Sequence, residues 1–214
     1  MTADNQAPPR RKYDSTRRRR NAEQTRREIL DAARAQFLRY GWHGAGMREI
    51  ARDAGVSVET VYSNFPSKAT VFKEVLNTLV VGDDQPIPLS ERPEFRAAMV
   101  GPLTERINAF ACMHAEVQGR VARLRMVLRE AARADDDLAG IERVVLAEER
   151  EQTRLSLQTF LPDPSDLDIE GMQALYSSDL YILLTDIRGW SPEQYIGWLS
   201  ELSLAAFTAK GVVP

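Results

Sequence analysis

The stretch from Met47 to Lys68 constrains the fold most, because its pattern predicts two short helices joined by a tight turn. Apolar residues recur at helical spacing in the first helix, and charged residues lie between them. Gly55 suits the left-handed conformation that ends a helix, and the Ser57 hydroxyl can cap the helix that follows. The second helix is predicted over 58–65 and ends before Pro66. Its apolar side is thin, so we expect its exposed face to contact a partner.

A short helix with so little buried surface is typical of the helix-turn-helix motif, whose second helix enters the major groove of DNA and contacts base edges. Ser67 is placed to cap a third helix, predicted over 67–81. The sequence therefore predicts a DNA-binding motif with an attached connecting helix. That helix is expected to be the only mechanical link between the motif and the rest of the chain.

The segment AGVSVETVYSNFPSK resembles the recognition segment of the TetR family of bacterial transcriptional regulators. That family's pattern has a glycine turn, a capped helix with Thr and Tyr, an aromatic residue, and a lysine that opens the next helix. The resemblance extends upstream through ILDAARAQFLRYGWHGAGMREIA and covers roughly Thr25 to Val80. The chain departs from the pattern at Asn64, where many members carry His or an aromatic residue, and at Gly46, where a capping Thr is common.

The resemblance implies DNA contacts for individual side chains of the motif. Arg48 matches a position that can reach a guanine or a phosphate. Thr60 and Tyr62 match hydroxyl groups that contact phosphates, and Lys68 matches a phosphate-binding cation. The side chains expected to contact base edges are Val58, Glu59, Ser63 and Asn64. The full predicted DNA-binding set is Arg48, Ser57, Val58, Glu59, Thr60, Tyr62, Ser63, Asn64 and Lys68. Two alternatives stay open: Tyr62 could pack on the neighbouring helix, and Glu59 could simply favour the helix N-terminus.

Charge is divided unevenly along the chain. Residues 1–81 hold 15 Lys and Arg against 9 Asp and Glu, whereas residues 82–214 hold 13 against 22. Only the first part is electrostatically suited to a phosphate backbone. Residues 1–20 form a basic arm with seven cationic side chains against Asp14 in RRKYDSTRRRR, and the arm is predicted to be disordered. It is either a solvated tail or a minor-groove contact.

Helical periodicity continues to the C-terminus and no alternating strand pattern occurs, so an all-α fold is predicted. The first helix is expected from Asn21, which can form a capping box with Gln24, to Tyr40. The junction after the connecting helix is expected at GDDQPIP. The predicted regions are a disordered basic arm over 1–20, an N-terminal three-helix helix-turn-helix domain with its connecting helix over 21–81, and a C-terminal helical effector-binding and dimerisation domain over 82–214.

The C-terminal region is predicted to contain five helices. Their ranges are 93–117 with a bend at Gly101 and Pro102, 119–134, 138–160, 167–187, and a last helix from the Ser191 cap to about Lys210. The run from Asp135 to Asp137 is interpreted as a helix stop followed by a cap. Ser191 and Gln194 supply a capping box for the last helix, with Pro192 in its first turn.

The last two helices are apolar over much of their circumference and need partners on two sides. From the residues alone, a central core and a dimer interface are equally good interpretations. The resemblance favours the interface, because TetR-family members dimerise by pairing two C-terminal helices of each chain in a four-helix bundle. A homodimer would bind a pseudo-palindromic operator in double-stranded DNA. The predicted interface residues are Leu180, Leu183, Leu184, Ile187, Ile196, Leu199, Leu202 and Phe207.

The C-terminal region is larger than dimerisation alone requires, and pockets between helices commonly hold small molecules. In the family that the chain resembles, effector binding moves the connecting helix and changes the spacing of the two recognition helices. We therefore expect a repressor that a small, mainly apolar effector releases from its operator. The alternative is a ligand-independent architectural DNA-binding dimer. The candidate effector-binding residues, each of which could equally be ordinary core, are Phe110, Met113, His114, Met126, Met172 and Tyr176.

Sequence patterns of other protein classes are missing. The two histidines, His43 and His114, lack metal-binding spacing, and no nucleophile elbow, phosphate loop or calcium loop is present. We expect no enzymatic activity, no catalytic residue, no metal and no cofactor. Because no apolar run approaches ~20 residues and no signal sequence is evident, we also expect no membrane association and a cytoplasmic location.

Overall fold

The structure of the chain is a computed structural model that describes residues 15–82, 93, 96 and 99–212. Every regular element in this part of the chain is helical, which confirms the all-α prediction. The elements are α1 (Ser15–Gly44), α2 (Met47–Asp53), α3 (Val58–Asn64), α4 (Lys68–Val81), α5 (Leu103–Ala131), α6 (Asp136–Gln158), α7 (Asp166–Leu175), α8 (Ser178–Ile182) with a π-helical turn (Leu183–Ile187), and α9 (Pro192–Ala209). None of the described helices is long and apolar enough to span a membrane.

The helix-turn-helix consists of α2 and α3, and its turn is built as predicted. Gly55 takes the left-handed conformation with φ 68°, and the Val56 N–H donates to the Ala51 carbonyl at 3.0 Å. This Schellman-type bond satisfies a carbonyl that the end of α2 leaves without a helical partner. Ser57 then caps α3, because its hydroxyl accepts from the Thr60 N–H at 3.2 Å.

The end of α3 and the start of α4 also follow the sequence prediction. Phe65 is fully buried, and its N–H closes the last bond of α3 by donating to the Val61 carbonyl at 2.9 Å. Two residues later, the Ser67 hydroxyl caps α4 by accepting from the Thr70 N–H at 3.1 Å. The connecting helix is therefore joined to the recognition helix by a turn of three residues, 65–67.

The start of α1 differs from the prediction. This helix begins at Ser15 instead of Asn21, so the nearest part of the predicted disordered arm is helical. The predicted capping box does not form, because Asn21 lies inside α1 and not at its N-terminus. Gln24 Nε2 donates to Glu28 Oε1 at 2.9 Å within the helix. The rest of the arm, residues 1–14, lies outside the described residues.

The prediction of two helices separated near Gly119 is wrong, because α5 continues through that position. Packing is close at Gly119, because a Cβ there would lie 3.3 Å from Tyr181 Oη. The bend predicted at Gly101 and Pro102 is the N-terminus of α5, since Gly101 has φ 116° and Pro102 is the N-cap. Most of the predicted segment before it lies outside the described residues.

The predicted helix over 167–187 is divided into α7, α8 and the π-helical turn. Tyr176 leaves helical geometry, with φ −97° and ψ 20°, and the Ser177 hydroxyl accepts from the Leu180 N–H to start α8. A local serine cap therefore competes with continuation of the helix. Two other predicted caps are confirmed. Asp135 caps α6, and Ser191 forms the capping box of α9 with Gln194.

One hydrophobic core extends from the first four helices into α5 and the start of α6. Both α1 and α4 pack on α5. The prediction that the connecting helix is the only link is therefore wrong. The predicted domain boundary after residue 81 divides a continuous hydrophobic core. The division into a DNA-binding region and an effector-binding region therefore remains a proposal about function. Buried members of this core include Ile29, Phe37, Ile50, Val61 and Phe72 on one side and Val121, Leu124, Leu128 and Leu138 on the other.

Candidate DNA-binding interface

The recognition helix α3 is anchored by two apolar side chains and exposes most of its polar ones. Val61 and Phe65 are fully buried, whereas Tyr62 remains 51% exposed. Glu59 and Ser63 are exposed beside it. Tyr62 therefore does not use its ring as a core residue, and the hydroxyl is available to contact a phosphate. This arrangement gives α3 a polar face and fixes it to the domain through one side only.

Other predicted contacts surround this face. Arg48 of α2 is exposed, as a guanidinium that contacts DNA must be. Val58 is half-buried and packs on the core, so only part of it is available to a thymine methyl. Ser57 caps the helix and shares a 3.0 Å hydroxyl contact with Thr60, which orients both groups at the N-terminus of α3.

Asn64 and Glu59 are engaged within the motif. Asn64 Nδ2 donates to the Thr60 carbonyl at 2.8 Å, and the Ser63 hydroxyl donates to the same carbonyl at 2.9 Å. A bidentate pair with adenine would require Asn64 to release this bond. Hydrogen bonds from its own backbone N–H and from the Ser57 hydroxyl hold the pKa of Glu59 below its usual range. Its exposed carboxylate thus also stabilises the helix N-terminus, and both interpretations of Glu59 remain predictions.

Lys68 has a structural role that does not fit the predicted phosphate contact. Its Nζ donates to the Trp42 carbonyl at 2.6 Å and to the Ala45 carbonyl at 2.8 Å, and it lies 4.1 Å from the centre of the Trp42 ring. Burial lowers the pKa of Lys68. Two of the three ammonium N–H groups are used within the protein, because the carbonyls at the end of α1 need donors. Lys68 therefore holds the start of α4 against the link between α1 and α2.

Two polar side chains that sequence reasoning missed brace the motif from α1. Arg26 lies over the Phe65 ring, with Cζ 4.4 Å from the ring centre, and its Nη2 lies 2.5 Å from Glu74 Oε2. Gln36 is buried and donates its amide to Asp53 of α2. That bond is the main reason why the pKa of Asp53 is lowered. Gln36 could have been noticed as a polar residue on the apolar stripe of α1.

The described N-terminal region is basic. Residues 15–82 hold 12 Lys and Arg against 7 Asp and Glu, a net charge of +5. The cations at the start of α1, Arg17 to Arg20, are all exposed. A capped helix with an exposed polar face thus lies in the part of the chain that is suited to a polyanion.

Comparison with known families identifies this region. Residues 29–75, from the middle of α1 to the middle of α4, match the model of bacterial regulatory proteins of the tetR family. This part of the chain is therefore similar to the regulators of that family. Two curated relatives are 37% identical to it. They are the HTH-type transcriptional activator FasR of Mycolicibacterium smegmatis, over 83 residues, and the HTH-type transcriptional regulator SrpR of Pseudomonas putida, over 73 residues.

These matches cover only part of this chain and of each relative. The FasR match takes in 36% of this chain and 38% of FasR, and the SrpR match takes in 34% and 32%. The chain therefore spans about a third of the length of the curated relatives that it matches. These relatives are regulators, in agreement with the sequence prediction that the protein is not an enzyme.

Solved structures extend the similarity of fold to most of the chain. A TetR-family regulator from Mesorhizobium loti has a TM-score of 0.65 at 22% identity, covering 88% of this chain and 96% of its own. NalD of Pseudomonas aeruginosa, the secondary repressor of a multidrug efflux pump, has a TM-score of 0.63 at 23% identity, covering 86% and 96%. At these identities the likeness shows the fold alone. It confirms the predicted arrangement of an N-terminal helix-turn-helix domain and a helical C-terminal body.

Several predicted effector-binding residues come together inside the helical body. The ring centres of His114 and Phe110 lie 4.7 Å and 5.2 Å from that of Tyr176, and Phe160 lies 6.1 Å from Phe110. Phe160 stacks at 5.0 Å on Phe207, which lines an apolar groove of about 340 Å³. A continuous series of rings thus joins this groove to His114.

The groove lies between α6, α7 and α9, and Met172 is the predicted effector residue that lines it directly. The other lining residues include Leu157, Leu161, Leu167, Leu175 and Phe207, with the ion pair of Asp168 and Lys210 at the rim. Met113 and Met126 are half-buried on α5 and do not line the groove. Four of the six predicted residues therefore lie in or beside this groove and its series of rings: Phe110, His114, Met172 and Tyr176.

Three buried polar atoms in this region have no hydrogen-bond partner among the described residues. They are Arg106 Nε, beside the Phe160 ring, and His114 Nε2 and Tyr195 Oη. Burial lowers the pKa of His114 to about 3, so its imidazole is neutral at physiological pH. The neighbouring Tyr176 hydroxyl, by contrast, is paired with Ser203 Oγ at 2.8 Å. Unpaired buried polar atoms are costly and point to an absent partner or ordered water.

The predicted dimer-interface residues divide into exposed and buried groups. Leu183, Ile187 and Leu202 are 40%, 67% and 41% exposed, and Leu180, Leu184 and Ile196 are half-buried. For the two remaining residues the prediction is wrong, because both belong to the core of the chain. Leu199 packs with Ala111, Ala115 and Tyr195, and Phe207 packs with Leu103, Ile107 and Phe160.

Proposed function

We propose that the protein is a sequence-specific DNA-binding transcriptional regulator that acts as a homodimer. The observation that carries this proposal is α3: a helix capped by Ser57, anchored by Val61 and Phe65, and exposing polar side chains in the basic part of the chain. Such a helix suits the major groove, and phosphate contacts around it fix its register. Arg48, Tyr62 and the α1 cations serve as phosphate contacts, while Glu59 and Ser63 face the bases.

The proposal is tested by selection from a pool of random DNA duplexes with the purified protein. A homodimer should enrich two inverted half-sites about one helical turn apart, because two recognition helices then meet successive major grooves on one face of DNA. Enrichment of no motif would reject sequence-specific binding. Enrichment of one unpaired half-site would reject the dimer as the DNA-binding species.

The dimer is proposed to form through α8, the π-helical turn and α9. Leu183, Ile187 and Leu202 leave apolar surface exposed on these elements, and a two-fold axis would bury each of them against a second copy. Dimerisation also serves the DNA-binding function, because one short helix contacts too few base pairs to define a unique site.

We further propose that the protein is a repressor released by a small molecule. NalD, which shares the fold, is a repressor, whereas FasR is an activator. A reporter gene with the selected operator placed over its promoter therefore decides the sign: repression should lower expression, and activation would raise it. A ligand can release DNA only if it binds the DNA-free arrangement more tightly.

The effector is proposed to be largely apolar with one hydrogen-bonding group. The groove is large enough for the lower end of drug-sized ligands and is lined by aliphatic and aromatic side chains. His114 Nε2 and Tyr195 Oη do not line the groove, but they are the buried polar atoms that the hydrogen-bonding group of a ligand would satisfy if the ligand reached past the aromatic rings.

The competing function is a ligand-independent architectural dimer. Compounds that raise the melting temperature of the protein can be titrated with and without operator DNA, since a ligand that binds the native state stabilises it. A true effector must bind more weakly in the presence of operator by the same factor by which it weakens DNA binding. Equal affinities with and without operator would favour the architectural function.

A further inference from the structure

The link between α1 and α2 is fixed more firmly than a connecting turn requires. α1 is interrupted at Gly41, where φ is 66°, and the next residue, Trp42, is buried. The Trp42 ring stacks on Phe37 at 5.9 Å and meets Phe72 of α4 edge-on at 5.8 Å. Lys68 adds two hydrogen bonds to the carbonyls of this link. The link is therefore clamped between α1 and the start of α4.

Asp135 joins this clamped link to the body of the protein. Its Oδ2 accepts from Trp42 Nε1 at 2.9 Å, across 93 residues of sequence. Its Oδ1 accepts from the Leu138 N–H at 3.1 Å and so caps α6. The Asp135 carboxylate thus connects the first turn of α6 to Trp42 in the link that precedes α2.

These contacts hold the helix-turn-helix at both of its ends. Trp42 lies before α2, and Lys68 begins α4 after the three-residue turn that follows α3. A separate bond, from Arg120 Nε to the Leu79 carbonyl at 3.0 Å, holds only the far end of α4. Apolar packing resists separation of the surfaces but has little directional preference, whereas the short bond between Trp42 and Asp135 restrains tilt of the α2 and α3 unit on the body.

We propose that Asp135 is a positioning residue that sets the separation of the two recognition helices in the dimer, and thereby the spacing of half-sites that the protein accepts. The inference rests on the proposed function as a DNA-binding dimer. A change of one base pair between half-sites moves them by ~3.4 Å and rotates them by ~35° about the DNA axis. A rigidly held motif cannot follow such a change, whereas a motif free to tilt can follow part of it.

The test uses the full chain and the operator selected by the wild-type protein, together with operators that have one base pair added or removed between half-sites. Asp135→Ser keeps a good N-cap for α6 but is too short to reach Trp42. Trp42→Phe keeps an aromatic ring and removes the N–H donor. Asp136→Ser is the matched control, because it makes the same charge change at the adjacent exposed position.

We expect the wild type and Asp136→Ser to lose ~10-fold or more in affinity when the spacing changes by one base pair. Asp135→Ser and Trp42→Phe should lose less than ~3-fold in affinity for the same change of spacing. Each variant lacks the hydrogen bond that restrains tilt, and a hydrogen bond to a charged acceptor contributes about a factor of 10 to an equilibrium constant. All four proteins should bind an isolated half-site equally. The double variant should behave like either single one, because both remove the same bond.

A contact that only stabilised the fold would lower the melting temperature, and affinity for every DNA would fall by one common factor. If Asp135→Ser and Trp42→Phe keep the wild-type spacing penalty, the inference is overturned and the proposed function stands. If the wild type selects no paired half-sites, the proposed function fails and the inference fails with it.

Discussion

Acidification should destabilise the protein through His114. Burial lowers the pKa of this imidazole from 6.5 to about 3, so the native state stays neutral where the unfolded chain takes up a proton. The stability that the neutral His114 contributes is therefore fully present above pH ~6.5. It is lost as the pH falls from that value towards the pKa of His114 in the folded protein. Integrated from pH 7.5 to 5.0, this one group lowers the free energy of unfolding by about 2 kcal/mol. For a chain of this size that corresponds to ~4–8 °C in melting temperature.

The variant that isolates this effect is His114→Phe, which keeps a ring against Tyr176 and removes both the titration and the unpaired Nε2. Chemical or thermal unfolding would be measured for the variant and the wild type at several pH values between 7.5 and 5.0. All other groups titrate alike in both proteins, so the difference in unfolding free energy should shift by about 2 kcal/mol in favour of the variant. His43→Gln, at the exposed second histidine, should follow the wild type. Parallel curves for the wild type and His114→Phe would refute the reasoning.

Three further outcomes are expected. Removal of residues 1–20 should weaken binding to specific and nonspecific DNA alike and flatten the dependence of log affinity on log salt, because seven cations leave; an unchanged slope would mean that the arm is a solvated tail. Ile187→Glu should shift sedimentation from dimer to monomer, since it places a charge in the proposed interface, whereas Val144→Glu on α6 should not; a dimer that survives Ile187→Glu would contradict the interface. Ser57→Ala should lower the free energy of unfolding by about 1 kcal/mol and Ser57→Thr should largely restore it, measured by denaturant titration; equal stability of all three proteins would show that the cap contributes nothing.

Local chemistry made the helix ends predictable from the sequence. Ser57, Ser67 and Ser191 cap helices where expected, because an N-cap depends on a side chain and a backbone N–H only three residues apart. The turn at Gly55 was predictable for the same reason. The cap of α6 lies in the predicted acidic run, but α6 begins two residues before the predicted start. The helix-turn-helix, which consists almost entirely of such local signals, could therefore be located closely.

Packing between distant segments decided the features that sequence reasoning missed. Gly119 suggests a helix break, but α5 continues through it, and Tyr181 packs closely against that position. Leu199 and Phe207 lie on apolar faces that fit a dimer interface equally well, and only the positions of α5 and α6 show them to be core. An apolar face indicates burial without indicating which surface provides it.

The site shows the same division. The exposed face of α3 follows from helical spacing, since Tyr62 and Ser63 lie away from Val61 and Phe65. The engagement of Lys68 with the carbonyls of Trp42 and Ala45 does not follow from spacing, because it depends on how the end of α1 meets the start of α4. Long polar side chains near helix ends have several possible partners, and tertiary structure selects among them.

The central claim is that α3 contacts bases, and competition binding against single-base variants of the selected operator tests it most directly. The wild type should discriminate against substitutions at half-site positions by ~1–3 kcal/mol each. Glu59→Ala should relax that preference at one position of each half-site, whereas Tyr62→Phe should weaken binding to all variants uniformly. A wild-type protein that binds every variant with equal affinity, or a Glu59→Ala protein that keeps every base preference while Tyr62→Phe loses one, would contradict the assigned roles.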